Sequence, residues 1–277
     1  MTALRVLSLT LLTGCAVVRA QPDPAACPPR AAWPDGMVCV PGGTFAIGSA
    51  DGQPDERAPG EVTLRAFYLD VYEVTNEAYR ACMEAGACPR HARYRAFLGA
   101  RQPVVGVSWP GAVAFCAWAG KRLPTDAEFE RAARGPDGTR YPWGDDADEP
   151  CAHAVVRTRA GAGCGTDVTA DVGSRPPGHF GVHDLAGNVH EWVQDRYAPC
   201  LRGCARECGD ACFGADPRGP CGDAAECPGH PLRSIRGGSW YWPLERARGA
   251  ARRGAHPANT AGHRFGMRCA RDVSVGS

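Results

Sequence analysis

The sequence predicts an irregular α+β domain that is rich in loops and cross-linked by disulfides, and three observations support this. Strand and helix patterns are short and lie mostly between residues 37 and 135. The chain contains 35 glycines and 24 prolines, and they are so frequent after residue 136 that most of that part is expected to be loop. It also contains 15 cysteines, a number typical of a disulfide framework. A chain of 277 residues is long enough to bury one sizeable core, so a single domain is expected.

The beginning of the chain is predicted to be a targeting signal. Residues 1–14 start with a positive charge and continue in the apolar run VLSLTLL, which is too short to span a bilayer as a mature helix. The run ends at LTGC, where Cys15 resembles the lipidated cysteine of a bacterial lipobox. The alternative is an ordinary secretory signal that is cut near VRA. Both alternatives predict export, and the lipobox also predicts a lipid anchor on the bacterial membrane, facing the periplasm or the exterior.

The segment after the signal, residues 15–36, is rich in proline and alanine and is predicted to be a tether. Without Cys15 the chain has an even number of fourteen cysteines. In an exported protein this number favours disulfides over thiolate metal sites. The densest group, residues 200–227, contains six cysteines, some of them four apart. Such a spacing would also allow thiolates on one helical face, but a cross-linked loop suits an oxidising compartment better.

The charge balance argues against a nucleic-acid-binding protein. The formal net charge is only +1, from 31 basic and 30 acidic residues, whereas nucleic-acid-binding domains usually carry a strongly basic face. Almost all the positive charge is arginine, and Lys121 is the only lysine. Arginine suits fixed, bidentate pairs with carboxylates. We therefore expect several arginines to be paired inside the domain.

The strand predictions come first along the chain. The stretch MVCVPGGTFAIGS, residues 37–49, has short apolar segments around Pro and Gly-Gly, which predicts a strand and a hairpin. The stretch at residues 60–75 is β-branched and aromatic with alternating polarity, which predicts a second strand region.

Three helices are predicted next, each with a start and a stop signal. Thr75 and Ser108 are candidate N-caps, and Thr125 with Glu128 has the spacing of a capping box. A glycine stands at or near the C-terminal end of each helical pattern. The three helical segments are residues 75–86, 108–122 and 125–135.

Seven segments in order resemble the formylglycine-generating enzyme, or sulfatase-modifying factor, family, whose core is similar to C-type lectins. They are VPGGTFAIGS, FYLDVYEVTNEAYRAC, PVVGVSWPGAVAFCAWAGKRLPTDAEFERAARG, YPWGDD, GHFGVHDLAGNVHEWVQDRY, IRGGSWYW and GMRCARD. The resemblance implies a family domain over residues 37–273 with a Cys-rich insertion at 200–227. It implies the fold, whereas the function must be argued from the site.

The motif HDLAGNVHEW suggests a calcium site. A Gly-Asn turn stands between two acidic residues, and an oxygen-rich set of this kind suits a hard cation. The resemblance implies four ligands, which are the Asp184 side chain, the Gly187 and Val189 carbonyls and the Glu191 carboxylate. The alternative is that Glu191 only accepts hydrogen bonds from backbone amides in the turn. His190 departs from the family pattern, which usually has Trp at this position.

The resemblance also implies one long-range disulfide, between Cys116 and Cys269. Cys82–Cys88, Cys27–Cys39 and Cys151–Cys164 are expected as local loops, and the six cysteines of the insertion are expected to pair among themselves. Sequence alone does not fix this connectivity.

The formylglycine-generating oxidases bind Cu(I) through two cysteines that follow RGGSW, because soft thiolates suit this soft ion. Here Trp242 holds the first position and the second falls near Ala247. Neither residue can bind copper or carry out thiol chemistry, so a copper-dependent reaction is not expected and no catalytic residue is assigned.

Two other chemistries find little support. An iron site from His179, His183 and His190 would use the commonest transition-metal ligand, but scattered loop histidines are more often ordinary surface or core residues. A Ser-His-Asp hydrolase is not indicated, because GGSW lacks the G-x-S-x-G pattern of a nucleophile elbow.

Two functional hypotheses remain. One is a calcium-stabilised module that binds a peptide or glycan at the cell envelope. The other is an exported, family-related oxidase that acts on a peptide or peptide-derived substrate by a mechanism that uses no cysteine. The pyoverdine-maturation branch of the family also lacks the cysteine pair.

Candidate pocket residues are Trp240, Tyr241, Trp242 and Arg252. The alternative places the aromatic residues in the core and pairs Arg236, Arg252 and Arg268 with buried acids, and we favour it for Trp240 and Arg268.

Overall fold

The computed structural model describes residues 23–259 and 262–274. The predicted signal, Cys15 and residues 15–22 of the predicted tether lie outside this part. Within it, no helix combines the length and the apolar character that a membrane crossing requires.

In the described part of the chain, ten short strands form three small sheets. The first sheet has the order β1-β4-β10, the second β2-β3-β6 and the third β8-β7-β5-β9. The strands are β1 (Met37–Val40), β2 (Gly43–Ile47), β3 (Gly60–Leu64), β4 (Phe67–Asp70), β5 (His190–Arg196), β6 (Gly214–Ala215), β7 (Arg233–Arg236), β8 (Arg252–Ala255), β9 (Phe265–Gly266) and β10 (Ala270–Asp272).

Four α-helices accompany the sheets: α1 (Asn76–Glu84), α2 (Trp109–Trp118), α3 (Asp126–Arg134) and α4 (Pro150–His153). Short 3₁₀ turns occupy Arg30–Ala32, Arg95–Phe97, Ala162–Gly165, His179–Gly181, Gly209–Cys212 and Leu244–Arg246. The predicted α+β class is confirmed, and the first three helices lie where the sequence places them.

The predicted helix caps are present. The side chains of Thr75 and Ser108 accept hydrogen bonds from the backbone amides three residues on. Thr125 and Glu128 form a complete capping box at the start of α3, which satisfies two amide donors that a helix leaves open at its N-terminus. Gly135 then ends α3 with a positive φ of 66°.

Residues 23–36 pack on the domain instead of extending from it as a tether. The amides of Gly42 and Ala66 donate to the carbonyls of Ala25 and Pro24, and Cys27 is bonded to Cys39. These contacts fix the segment, so the folded part of the chain begins before Met37.

All fourteen described cysteines lie in disulfides. Cys116–Cys269, Cys82–Cys88, Cys27–Cys39 and Cys151–Cys164 are the pairs expected from the sequence. The six cysteines of the insertion pair among themselves as Cys200–Cys204, Cys208–Cys212 and Cys221–Cys227. The insertion is therefore a cross-linked loop.

Helix α3 packs between the second sheet and the third sheet, and buried arginines complete this junction. It packs against β2, β5 and β7. The Arg236 guanidinium of β7 is 1% exposed and pairs with Asp126 and Glu130 of α3. Arg248 likewise forms a bidentate pair with Glu56, with N–O distances of 2.6 and 2.7 Å. The expected pairing of arginines inside the domain is confirmed.

Candidate functional site

The turn before β5 gathers the proposed calcium ligands in the interior. Asp184, Gly187 and Asn188 all have positive φ, so the chain turns tightly between the two acidic residues. A side chain at Gly187 would meet the Val155 carbonyl at 2.5 Å, which requires glycine at this point. Asp184 and Glu191 are both buried. The turn therefore places the Asp184 and Glu191 side chains in the interior.

A cluster of carboxylates surrounds this turn. Glu73 is fully buried and accepts hydrogen bonds from the Asn188 side chain at 2.6 Å and the Val189 amide at 3.2 Å. Burial, and then the nearby Asp184 and Glu191 carboxylates, raise the pKa of Glu73 well above its ordinary value. Arg268 is the guanidinium among these three acids, and it forms a bidentate pair with Glu191 at 2.7 Å for both bonds.

The donor set has the oxygen chemistry that a hard cation requires. It offers only oxygens, and three acidic groups face one arginine. Both Glu191 oxygens already accept from Arg268, but each carboxylate oxygen keeps a second lone pair. Among the residues that the structure describes, no cluster of three His, Cys, Asp or Glu side chains has the geometry of a metal site. A calcium ion would therefore depend on the carbonyls of the turn as much as on the acids.

The positions of the family's copper ligands hold no thiol. Ala247 is completely buried, and its Cβ lies 2.8 Å from where a Cβ on Gly238 would stand. Trp242 is half-buried at the surface of the third sheet. Because every described cysteine is in a disulfide, the described chain presents no thiolate for Cu(I), and its residues do not fit that ion.

Trp242 instead forms one wall of an open concavity of about 360 Å³, which we call the Trp242 cleft. The residues that matter for its chemistry come from β5, β7, β8 and β9 and from the segments beside them. They are His190, Ile235, Trp242, Arg253, Arg264 and Phe265. The third sheet therefore supplies the base of the cleft.

His190 lies at the base of the cleft with both ring nitrogens unsatisfied. It is 5% exposed, and neither Nδ1 nor Nε2 has a hydrogen-bond partner among the described residues. Burial, and then the Arg253 and Arg264 guanidiniums, lower its pKa to about 3. The Arg236 backbone lies close enough to offset part of this, but it makes no hydrogen bond of normal geometry with the ring. The ring is therefore neutral at ordinary pH, with one unused donor and one unused acceptor.

Arginines line the rim without carboxylate partners. Within the described ranges, Arg253 and Arg264 of the rim form no ion pair, nor does Arg246 nearby, in contrast to Arg236, Arg248 and Arg252. The Arg253 guanidinium lies 5.3 Å from the centre of the Trp242 ring, and that of Arg264 lies 5.9 Å from it. The cleft is therefore electropositive, and its aromatic wall holds two cations.

The other pocket candidates divide between surface and core. Tyr241 is 36% exposed and lies between Arg157 and Arg264, whose guanidiniums are 4.5 and 4.9 Å from its ring centre. Trp240 is buried, packs on Phe97, and donates its indole N–H to the His263 carbonyl at 3.1 Å. Tyr241 thus borders the site, whereas Trp240 supports it from the core.

Arg252 has a structural role. Its guanidinium pairs with Asp126 at 2.6 Å, and its side chain is 2% exposed. It therefore holds α3 against β8 from behind the cleft, and its charge is already neutralised there.

The three histidines considered for iron are not brought together. His179 contacts the Thr139 hydroxyl at 2.9 Å, and His183 contacts the Arg175 carbonyl at 2.8 Å. His190 instead packs on Phe265 in the third sheet.

A second concavity, of about 390 Å³, lies beside the N-terminal segment. Most of its charged groups are already paired: Arg122 with Glu128 and Asp272, and Arg65 with Asp216. It is less suited to a charged ligand than the Trp242 cleft for this reason.

Three residues of the cleft were not singled out from the sequence as a binding set: His190, Arg253 and Arg264. For His190, the sequence offers one signal, because the family usually has Trp at this position. For the arginines, the sequence holds no sign of which members of an Arg-rich stretch lack a carboxylate, because their partners are distant along the chain.

Comparison with known proteins gives consistent matches. Residues 24–273 match the model of the sulfatase-modifying factor enzyme 1-like domain. The formylglycine-generating enzyme of Streptomyces coelicolor is 35% identical, over 93% of this chain and 95% of that protein. The serine/threonine-protein kinase Pkn1 of Chlamydia trachomatis is 34% identical over 86% of this chain, but the match spans only 38% of the kinase. The solved structure of PvdO from Pseudomonas aeruginosa superposes with a TM-score of 0.68 at 30% identity, covering 86% of this chain and 94% of PvdO.

Proposed function

The chain belongs to the sulfatase-modifying factor enzyme 1-like family, and we propose that it is a binding module of the bacterial cell envelope rather than a copper-dependent oxidase. One observation carries the proposal. The position of the first copper ligand is Trp242, and the described residues contain no free thiol that could replace it. At that position the chain has a cleft with unsatisfied polar groups instead of a metal centre.

The cleft has the general features of a ligand site for a peptide or a glycan. Its base is apolar, with Ile235 and Phe265 at most 9% exposed, and a few polar groups converge on it. This combination of an apolar surface with a small number of orienting polar groups is typical of binding sites. Its volume of about 360 Å³ suits one or two side chains or a sugar ring.

Arrays of immobilised peptides and glycans test this proposal. We expect the purified protein to bind a subset of spots and the Trp242→Ala variant to lose that binding, because the substitution removes one wall of the cleft. Trp118→Ala is the matched control, since Trp118 is an exposed tryptophan on α2, and it should bind as the unaltered protein does. Absence of any bound spot, or equal binding by the Trp242→Ala variant, would refute the proposal.

We also propose that the turn at residues 184–191 binds calcium, held by the Asp184 and Glu191 carboxylates and the Gly187 and Val189 carbonyls. The support is the all-oxygen donor set and the excess of acidic groups, Glu73 included, over Arg268. The ion would neutralise this buried charge and fix the segment that contains His190.

Elemental analysis and thermal unfolding test the calcium proposal. Purified protein should contain calcium, and a hundredfold excess of the ion over its Kd should stabilise the fold by about 3 kcal/mol relative to chelator. Asp184→Asn and Glu191→Ala should remove both effects, whereas the exposed Glu61→Ala should not. Because Glu191→Ala also leaves Arg268 unpaired, Asp184→Asn is the cleaner variant. Protein without calcium, and with Glu191→Ala no less stable, would exclude the site.

Export with a lipid anchor at Cys15 is the third part of the proposal. The sequence LTGC supports it, as do the seven disulfides of the described chain, which form and persist in oxidising compartments. Labelling of cells with palmitate should mark the protein and fail to mark Cys15→Ser. A label that persists in this variant would disprove the anchor.

A further inference from the structure

The aromatic faces at the cleft are occupied by guanidinium groups. Trp242 has Arg253 and Arg264 over its ring at 5.3 and 5.9 Å, and Tyr241 has Arg157 and Arg264 at 4.5 and 4.9 Å. Each of the two rings therefore already contacts two guanidiniums. The rings hold cations in place through cation–π contacts, so the arginines are the groups that a ligand meets.

The charge of the cleft is not balanced by the protein. Arg253 and Arg264 contact the same tryptophan ring, and neither forms an ion pair in the part of the chain that is described. Other arginines near this sheet are neutralised by acids, as Arg252 is by Asp126. Two positive charges that line one cleft without a counter-ion favour an anionic ligand there, and the fork of an arginine matches a carboxylate with two parallel hydrogen bonds.

The residues at the base of the cleft set a second requirement for the ligand. His190 is 5% exposed and offers two unsatisfied nitrogens. An unsatisfied buried polar group costs free energy, so a ligand that supplies its missing partners gains affinity. Ile235 and Phe265 beside it are apolar. The base therefore accommodates an aliphatic stem next to a group with hydrogen-bonding capacity, which is the composition of a glutamate residue in a peptide.

We propose that the Trp242 cleft binds an acidic peptide, with Arg253 and Arg264 holding a side-chain carboxylate and the His190 ring bonding to a polar group of the peptide at the base. This inference rests on the proposed binding function and specifies its ligand. It assigns the arginines to ligand recognition and leaves Arg236, Arg248 and Arg252 to the fold.

Titration calorimetry with hexaglutamate tests the inference, with hexaglutamine as the uncharged peptide of equal length. We expect hexaglutamate to bind and hexaglutamine not to bind. The double variant Arg253→Gln, Arg264→Gln should bind at least about tenfold more weakly, because two charge-assisted contacts are lost. Arg206→Gln, an exposed arginine of the Cys-rich insertion, is the control and should bind normally.

The His190→Phe variant keeps the ring volume and removes both nitrogens. It should keep the far-ultraviolet and near-ultraviolet circular dichroism of the folded protein and bind hexaglutamate several-fold more weakly. Unchanged affinity would remove His190 from the inference.

Three results would overturn the acidic-peptide inference as a whole: equal binding of hexaglutamine, unchanged affinity of the double arginine variant, or tighter binding of an oligogalacturonate than of hexaglutamate. These results leave the proposed function standing when the array signal still depends on Trp242. Failure of the arrays themselves would instead refute the proposed function.

Discussion

Replacing Cys116 and Cys269 together with alanine is expected to lower the free energy of unfolding by about 5 kcal/mol. This disulfide closes a loop with a sequence separation of 153 residues and joins α2 to the segment before β10. A bond of this kind stabilises the fold mainly by restricting the unfolded chain, and its effect grows with the logarithm of the loop length. Chemical denaturation under non-reducing conditions measures the loss.

The pair Cys82–Cys88 provides a control within the same core. All four cysteines are buried in one hydrophobic cluster, so alanine leaves comparable cavities, but Cys82 and Cys88 are only six residues apart. The chain-entropy model assigns this short loop about 2 kcal/mol. Equal losses in the two double variants would show that loop length does not govern the effect.

The Arg236→Met variant is expected to lose about 3–5 kcal/mol of unfolding free energy, the usual cost of removing one partner of a buried ion pair. The guanidinium is buried, and all five of its donor positions are used. Its partners are the Asp126 carboxylate and carbonyl, the Glu130 carboxylate and the carbonyls of Gly249 and Ala251. Methionine fills a similar volume but removes all five hydrogen bonds, so that Asp126 keeps only Arg252 and Glu130 only Arg134 as a cationic partner. Denaturant unfolding followed by tryptophan fluorescence measures the effect.

An exposed ion pair offers the matched control. Arg65 pairs with Asp216 at 2.8 Å, but its side chain is 64% exposed. Arg65→Met should therefore cost less than about 1 kcal/mol, because solvent screens such a pair. If the two methionine variants lost the same stability, Arg236 would not hold α3 to the third sheet.

The first half of the chain is the part that local sequence signals describe well. The helix at 126–134 follows from Thr125 and Glu128, whose capping box is a contact between near neighbours. The strands β1 and β2 also follow from short apolar segments around glycine, but the hairpin expected there is wrong, because β1 pairs with β4 and β2 pairs with β3. The capping box depends on near neighbours, which a sequence displays directly, whereas the partner of a strand lies further along the chain.

The third sheet shows why the rest could not be predicted. Strand β7 is RSIR, and all four residues are buried, so the usual alternation of polar and apolar residues is absent. Arg236 is buried because Asp126, 110 residues away, neutralises it. A pattern of charged residues suggests surface until such a long-range partner is known.

The ligand chemistry of the Trp242 cleft also could not be predicted from local sequence. The run at residues 234–254 contains five arginines, of which Arg236, Arg248 and Arg252 pair with acids. Arg246 and Arg253 do not pair within the described chain. The sequence predicted a pocket near Trp242, but its ligand chemistry depends on which arginines remain unpaired, and only the fold determines that.

The measurement that tests the account most directly is turnover of a sulfatase-type cysteine peptide by the protein after loading with Cu(I). The formylglycine-generating enzyme of Streptomyces coelicolor, treated identically, is the positive control, and mass spectrometry follows the peptide. We predict that the control converts the peptide and that this protein leaves it unchanged, because Trp242 and Ala247 stand where the thiolates would be. Copper-dependent conversion of the cysteine above the level of free Cu(I) would contradict the account.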